Sequence, residues 1–348
     1  MPSLPDTALL APVSLAPAMF DPGPLTAIVL RHAPQGVDES LRLARQLGET
    51  IPAVVPNLLD QWEALATLAA HDVGVARIVE PHLDALSMLR DARVKTHEGD
   101  AVTALTWGVF AAEGGDEPLT AIESSGTATL SGVKPWCSLA SRLDAALVTA
   151  HVDGDDRRSL FAARLGPRVE IDDEVWVARG LAEIPSGPVR FTGVAAVRVG
   201  EPGWYLDRTE FWWGGVGVAA CWFGGAIGIA RALHAAAAAA PNPHLLAHLG
   251  AIDEVLQAAR RALAEAAEIT VLANADPRLT AKRVRATVAR ACDEVIDRAH
   301  RALGPAPLAL DGAHAKRVAD LQLYVRQHHA ERDQASLGAA LAEEPAPW

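Results

Sequence analysis

A chain of 348 residues is long enough for two or three domains, and its 50% hydrophobic and 21% charged residues exclude a disordered polymer. The 31 basic and 43 acidic side chains give a net charge of -12, which argues against a nucleic-acid partner, because phosphate binding draws on clustered Lys and Arg. An anionic ligand therefore needs arginines gathered locally.

Residues 1–35 carry Pro2, Pro5, Pro12, Pro17, Pro22, Pro24 and Pro34, too many for a long helix or a central strand, so an irregular arm is expected. Its first residues have no basic stretch followed by an apolar core, and no secretory signal is expected. From Gly36 the apolar residues recur every three to four positions, with Leu41, Leu43, Leu47 and later Leu58, Leu59, Trp62, Leu65 and Leu68. That spacing predicts a helical lobe over 36–100, with Pro81 kinking or ending a helix near Glu80. Arg77, His82 and Asp84 fall at helical spacing and read as a solvated ion-pair face.

Over 101–203 the period drops toward two, and turn signals appear at Glu113-Gly-Gly-Asp116, Ser124-Ser-Gly126, Ser131-Gly132 and Asp153-Gly-Asp155. Strands are predicted at 102–112, 127–133, 145–152, 159–165 and 189–199, the spacing of a small barrel or sandwich. After Pro202-Gly203 the helical period returns through residue 348, punctuated at Pro241-Asn-Pro243, Asp276-Pro277 and Gly304-Pro-Ala-Pro307, which predicts four long helices. In the second of these Leu245, Leu249, Ile252, Leu256, Ala259 and Leu263 alternate steps of four and three, the seam of an antiparallel bundle. The fold class expected is α+β: an N-terminal helical lobe, a middle β-barrel or sandwich, and a C-terminal four-helix bundle. Gly214 to Ala230 is the longest apolar stretch, but glycines and tryptophans interrupt it, and no membrane span is expected. Gly214-Gly-Val-Gly217 follows aromatic residues rather than a strand, and close helix packing explains it better than a dinucleotide loop. Cys137, Cys221 and Cys292 lie far apart, with no spacing for a disulfide framework or a metal site, so a reducing, cytoplasmic setting is expected and no metal.

Lys134-Pro-Trp-Cys-Ser138 is the segment richest in chemistry. On an extended strand Trp136 offers a flat apolar face, and Ser138 on the same side can hydrogen-bond the edge of a ring lying on it, as a flavin would. A buried core Trp with a capped turn would give the same letters.

The order and lengths of the three regions, together with four local motifs, resemble the acyl-CoA dehydrogenase family over nearly the whole chain. Trp107-Gly-Val-Phe-Ala-Ala-Glu113 resembles the strand ending in that family's Thr-Glu-Pro turn, and Lys134-Pro-Trp-Cys-Ser138 resembles its Lys-x-Trp-Ile-Thr strand. Arg208 resembles the arginine opening the first bundle helix, and Arg317 to Arg332 the terminal helix that carries the catalytic base. The resemblance implies FAD, with Trp136 and Ser138 at the isoalloxazine and the backbone of Phe110, Ala111 and Ala112 at its pyrimidine. It also implies a homodimer or homotetramer built through the bundle.

Several positions depart from that pattern. Ala112 stands where the family has a threonine, and Pro241 to His248 lacks the arginine and phenylalanine that reach the cofactor pyrophosphate, leaving His244 or His248 to substitute. Leu303 to Gly312 keeps few glycines, and the Glu-Gly-Thr triplet that supplies the base is absent. Its place falls on His328 or His329, whose imidazole can act as a general base near neutrality. Phe211, Trp212 and Trp213 lie where relatives shape the acyl pocket.

The leading expectation is an FAD-dependent acyl-CoA dehydrogenase-like oxidoreductase acting on the CH-CH group of an acyl thioester or similarly activated small substrate. The alternative is a two-component flavin monooxygenase served by a separate flavin reductase. The third reading is a non-catalytic structural relative.

Overall fold

The computed structural model describes residues 10–17, 21–50, 57–92, 102–124, 127–270 and 276–343. In the N-terminal lobe, α1 (Pro24–Val29), α2 (Gly36–Thr50), α3 (Leu58–His71) and α4 (Val73–Asp91) pack together. The arm is less irregular than its prolines suggest. Pro24 sits in the first turn of α1, where a missing N–H costs nothing. Leu25 and Thr26 donate their N–H groups to the Asp60 carboxylate at 2.9 and 3.0 Å. Ahead of α1, the buried Leu15 donates to Glu63 at 2.7 Å and its carbonyl accepts from Arg260, which ties the arm to α3 and to the C-terminal bundle.

Pro81 does not end a helix. α4 runs unbroken from Val73 to Asp91, capped by Asp72, whose side chain accepts from Gly74 N. One missing backbone bond is outweighed by the burial of Val75, Ile78, Val79, Leu83, Leu86 and Leu89 on either side of it.

The middle region holds β1 (Trp107–Phe110), β2 (Thr120–Ser124), β3 (Thr127–Lys134), β4 (Ala145–Val152), β5 (Ser159–Arg164), β6 (Val169–Ile171) and β7 (Val189–Val199). β4 pairs antiparallel with β5 along one edge, and in parallel with β1 and then β2 along the other. β2–β3, β3–β7 and β7–β5 are antiparallel and complete a ring, so the sheet closes into a barrel filled by Phe110, Leu130, Val148, Phe161 and Phe191. β4 shows no alternation over Ala145–Ala150, because its outer face is also covered, with Ala145 and Leu147 packing in one cluster with Leu86, Met88 and Leu89 of α4.

The C-terminal region contains α5 (Trp204–Asp207), α6 (Thr209–Ala239), α7 (Pro243–Ile269), α8 (Pro277–Leu303), α9 (Ala306–Leu310), α10 (Gly312–Tyr324) and α11 (Glu331–Ala342). Three of these are long rather than the expected four; the fourth member, α10, has 13 residues. The Asn-Pro and Asp-Pro signals act as read: Asn242 and Asp276 accept the first N–H groups of α7 and α8, with proline at the first helical position. α6 is long and apolar enough to cross a membrane, yet most of it is buried against α3, α7, α8 and α10. Gly224 and Gly228 permit that: a Cβ at either would lie 2.1 Å from Ala66 O or 2.7 Å from Ala70 O of α3.

Candidate active site

A cavity of about 960 Å³ opens where α4, the rim of the barrel and the C-terminal helices meet. Its lining includes Ala111, Ala112, Trp136, Ser138, His328 and His329. Phe110 is different: its side chain is buried in the barrel interior.

Trp136 and Ser138 do not lie on an extended strand. Pro135 cannot donate to the ladder, β3 stops at Lys134, and Trp136 takes a left-handed backbone with φ 59°. For a bulky side chain that conformation is costly, and it turns the indole outward. The Trp136 side chain is 63% exposed on the cavity wall, edge-on to Trp176 at 6.5 Å. Ser138 Oγ accepts from Arg77 Nη2 at 2.7 Å and lies 2.8 Å from Ser186 Oγ. When Ser186 donates, the hydroxyl hydrogen of Ser138 is left to reach a ligand.

His328 and His329 are not on a helix either. After α10 a single 3-10 turn (Val325–Gln327) ends at His328, and the chain reverses at Ala330, with φ 46°, before α11 begins. Asp333 in the first turn of α11 accepts from His329 N at 3.1 Å, fixing the reversal from the helix side as a capping box does. His329 is exposed, with its Nδ1 3.4 Å from Asp333. His328 is turned inward, its Nε2 4.0 Å from Asp333 and without a hydrogen-bond partner. Burial first, then the positive charge of Arg285, lowers the pKa of His328 despite Asp333, which favours the neutral ring.

Arg77, His82 and Asp84 are not a solvated face. Arg77 reaches Ser138 and lies over the Tyr324 ring at 5.6 Å, while Asp84 pairs with the buried Arg208 at 3.2 Å. Buried His82 accepts from Trp107 N through Nδ1 at 3.2 Å; burial and then Arg45 push its pKa down to about 4, so it bridges α4 to β1 as a neutral ring. Glu113, at the start of its turn, is engaged by three side chains. It receives Lys134 at 2.5 Å, Arg158 at 2.7 Å and His151 at 3.2 Å. Burial opposes its ionisation, but Lys134 and Arg158 hold its carboxyl below the usual range.

Cationic side chains outnumber carboxylates seven to four among the lining residues, although the whole chain carries -12. Arg285 from α8 donates to Gly215 O at 2.8 Å and to Gln327 O at 3.2 Å, joining three elements of the wall. Neither His244 nor His248 lines the cavity, nor does any residue between Leu303 and Gly312. Sequence reasoning missed Glu80, Arg285 and Tyr324, all in the lining. Arg77, Glu80 and Asp84 follow steps of three and four, a spacing that places them on one face of α4 and was there to be read. Arg285 gave no such signal.

No family model matches this sequence, and no curated protein does. Solved structures match it over most of its length. FMN-bound TdsC from Paenibacillus sp. A11-2, a dibenzothiophene monooxygenase, superposes with a TM-score of 0.73 at 18% identity, over 89% of this chain and 92% of that one. The chain has an acyl-CoA dehydrogenase-like fold. KijD3 in complex with FMN and dTDP-3-amino-2,3,6-trideoxy-4-keto-3-methyl-D-glucose shares this fold, with a TM-score of 0.74 at 20% identity over 89% and 88% of the two chains. A nitrososynthase from Micromonospora carbonacea var. africana shares it at 0.66, with 18% identity and 83% and 82% coverage. Within the acyl-CoA dehydrogenase-like fold, the cavity lies between α4, the barrel rim and the final helices.

Proposed function

We propose that this chain is a flavin-dependent monooxygenase that receives reduced FMN from a separate reductase and uses O2 to oxidise a small organic substrate. The observation that carries the reading is His328: a neutral imidazole with an enclosed, unpartnered nitrogen, in the lining of the same cavity as Trp136 and Ser138. The solved neighbours that bind FMN, among them a monooxygenase, support it as analogy.

The residues present suit a flavin. The cavity volume of about 960 Å³ falls within the range of small-molecule sites, and Trp136 and Trp176 provide aromatic surface beside the Ser138 hydroxyl. Arg208 and His328, each with an enclosed side-chain nitrogen that lacks a partner, belong to the lining of the same cavity. A bound reduced flavin would supply the two electrons needed to cleave O2. The chain's own residues then do the rest. Ser138, steadied by Arg77, orients the ring edge; the excess of cations favours an anionic phosphate; His328 accepts or returns the proton that accompanies oxygen transfer. FMN is favoured over FAD because the positions expected to reach a pyrophosphate, His244 and His248, lie away from the cavity.

Titration of the purified protein with FMN and with FAD, followed by reduction with NADH and a flavin reductase and exposure to O2, tests the proposal. Tighter FMN binding and oxygen consumption coupled to product support it. Bleaching of bound flavin by an acyl-CoA without a reductase would instead establish the dehydrogenase reading, and absence of flavin binding the non-catalytic one.

A further inference from the structure

α4 presents Arg77, Glu80 and Asp84 to the cavity in successive turns. The outer two are engaged, Arg77 with Ser138 and Asp84 with Arg208. Glu80 between them is only 8% exposed, yet no hydrogen bond or ion pair to it is formed among the described residues. A carboxyl so buried is ordinarily paired. Glu80 also lines an adjoining cavity of about 490 Å³, which shares Asp84 and Gly214 with the larger one. The two spaces thus meet beside the Glu80 side chain, with Gly214 of α6 in both linings: a Cβ on Gly214 would lie 3.4 Å from Asp84. Burial, and then Asp84, pushes the Glu80 carboxyl up to about 7 against the pull of Arg77 and Arg285, as expected of an acid held without a partner. Phe211 and Trp212, edge to face at 5.2 Å, supply aromatic surface in the same cavity.

We propose that Glu80 anchors the substrate by accepting a hydrogen bond from an N–H donor, so that the site takes an amine or an N–H heteroaromatic compound rather than an acyl thioester. This rests on the monooxygenase reading of the same cavity and names its substrate class. A thioester presents a carbonyl acceptor and an apolar chain at its reacting end; the carbonyl can accept from the protonated acid, but neither group satisfies the lone pairs of the carboxylate, the form that an N–H donor favours. An N–H group does, and a site built around a buried acceptor rejects the isostere that lacks the donor, because the acceptor is then left unpaired.

Calorimetric titration of the full-length protein with indole, 1-methylindole and benzylamine tests this. Indole binding at least about tenfold more tightly than 1-methylindole is expected. Glu80→Leu should abolish that preference. Glu80→Gln, which keeps an acceptor of the same shape, should retain most of the indole affinity and lose that for the ammonium of benzylamine; the two arms separate neutral from cationic donors. Equal binding of indole and 1-methylindole by the wild-type protein, a preference that survives Glu80→Leu, or no saturable binding of either N–H ligand overturns the proposal. The wild-type comparison stands even if Glu80→Leu fails to fold. FMN titration of the same samples keeps the two readings apart: absent FMN binding with the N–H preference intact overturns the flavin reading alone.

Discussion

His328 and His329 are neighbours in the chain with opposite surroundings. One lines the cavity with its Nε2 enclosed and unpartnered; the other is exposed and leans on Asp333. If proton transfer passes through the inward ring, His328→Gln should lower turnover by roughly 10²–10⁴ while FMN affinity stays within a few-fold, whereas His329→Gln should change turnover by less than about threefold. Single-turnover kinetics with prebound FMN would separate the two, and equal losses would place the proton elsewhere. Glu80 makes a second prediction through its titration. In an unfolded chain a glutamate titrates at about 4.3. Burial raises Glu80 to about 7 in the fold, where it is faced by Arg77 and Asp84 of its own helix, Arg285 of α8, and the nearby Arg208, Tyr205 and Tyr324. Below pH 4 both states are protonated and the group costs nothing. As pH rises from 4 to 7 the unfolded state ionises first, so stability falls, and above 7 the full cost of about 4 kcal/mol is present. Glu80→Gln should therefore match the wild type in urea unfolding at about pH 3.5 and exceed it by up to about 4 kcal/mol at about pH 8. The residue types of the site were legible, because Trp136, Ser138 and the two histidines stand out in their segments. Their conformations were not: neither the left-handed backbone at Trp136 nor the reversal at Ala330 has a glycine to announce it.

At the level of elements, periodicity located what was buried on one regular face. The bounds of β4 and β7 came out as read, and so did the proline-marked starts of α7 and α8. β2 escaped because its alternation runs the wrong way: Ile122 is 71% exposed and the small Ala121 points inward. β6 has three residues and no pattern to show. Pro81 misled for the opposite reason, since packing along both ends of α4 outweighs one local rule. The glycines of α6 and α7 separate local preference from packing in the same way. Gly250 is exposed in α7 with open space about it, so Gly250→Ala should stabilise by about 0.5–1 kcal/mol through helix propensity alone. Gly224→Ala gains the same propensity but drives a methyl to 2.1 Å from the Ala66 carbonyl of α3. The clash should win, for a net loss of about 1–3 kcal/mol in denaturant unfolding. A stabilised Gly224→Ala would mean that α3 and α6 are free to move apart.

For the molecule as a whole, the cavity belongs to no single region. Arg77 and Glu80 come from the N-terminal lobe, Trp136 and Ser138 from the barrel rim, and Arg285, Tyr324 and His328 from the C-terminal helices. Composition and period divide the chain into those three regions but carry no information about which surfaces meet, and that is why the site's floor on α4 went unread. A ligand seated there touches all three, and it binds only when they are assembled. Mass action then gives about 2.7 kcal/mol of added stability at one hundred times the dissociation constant. For a chain of this size that corresponds to a rise of roughly 4 °C in Tm. FMN should produce that shift as one cooperative transition by scanning calorimetry, because lobe, barrel and bundle are each held by the same ligand. The shift should shrink at high salt, since the excess of cations around the cavity is screened. A transition that splits, with the barrel melting independently of FMN, would show that the ligand bridges fewer than three regions.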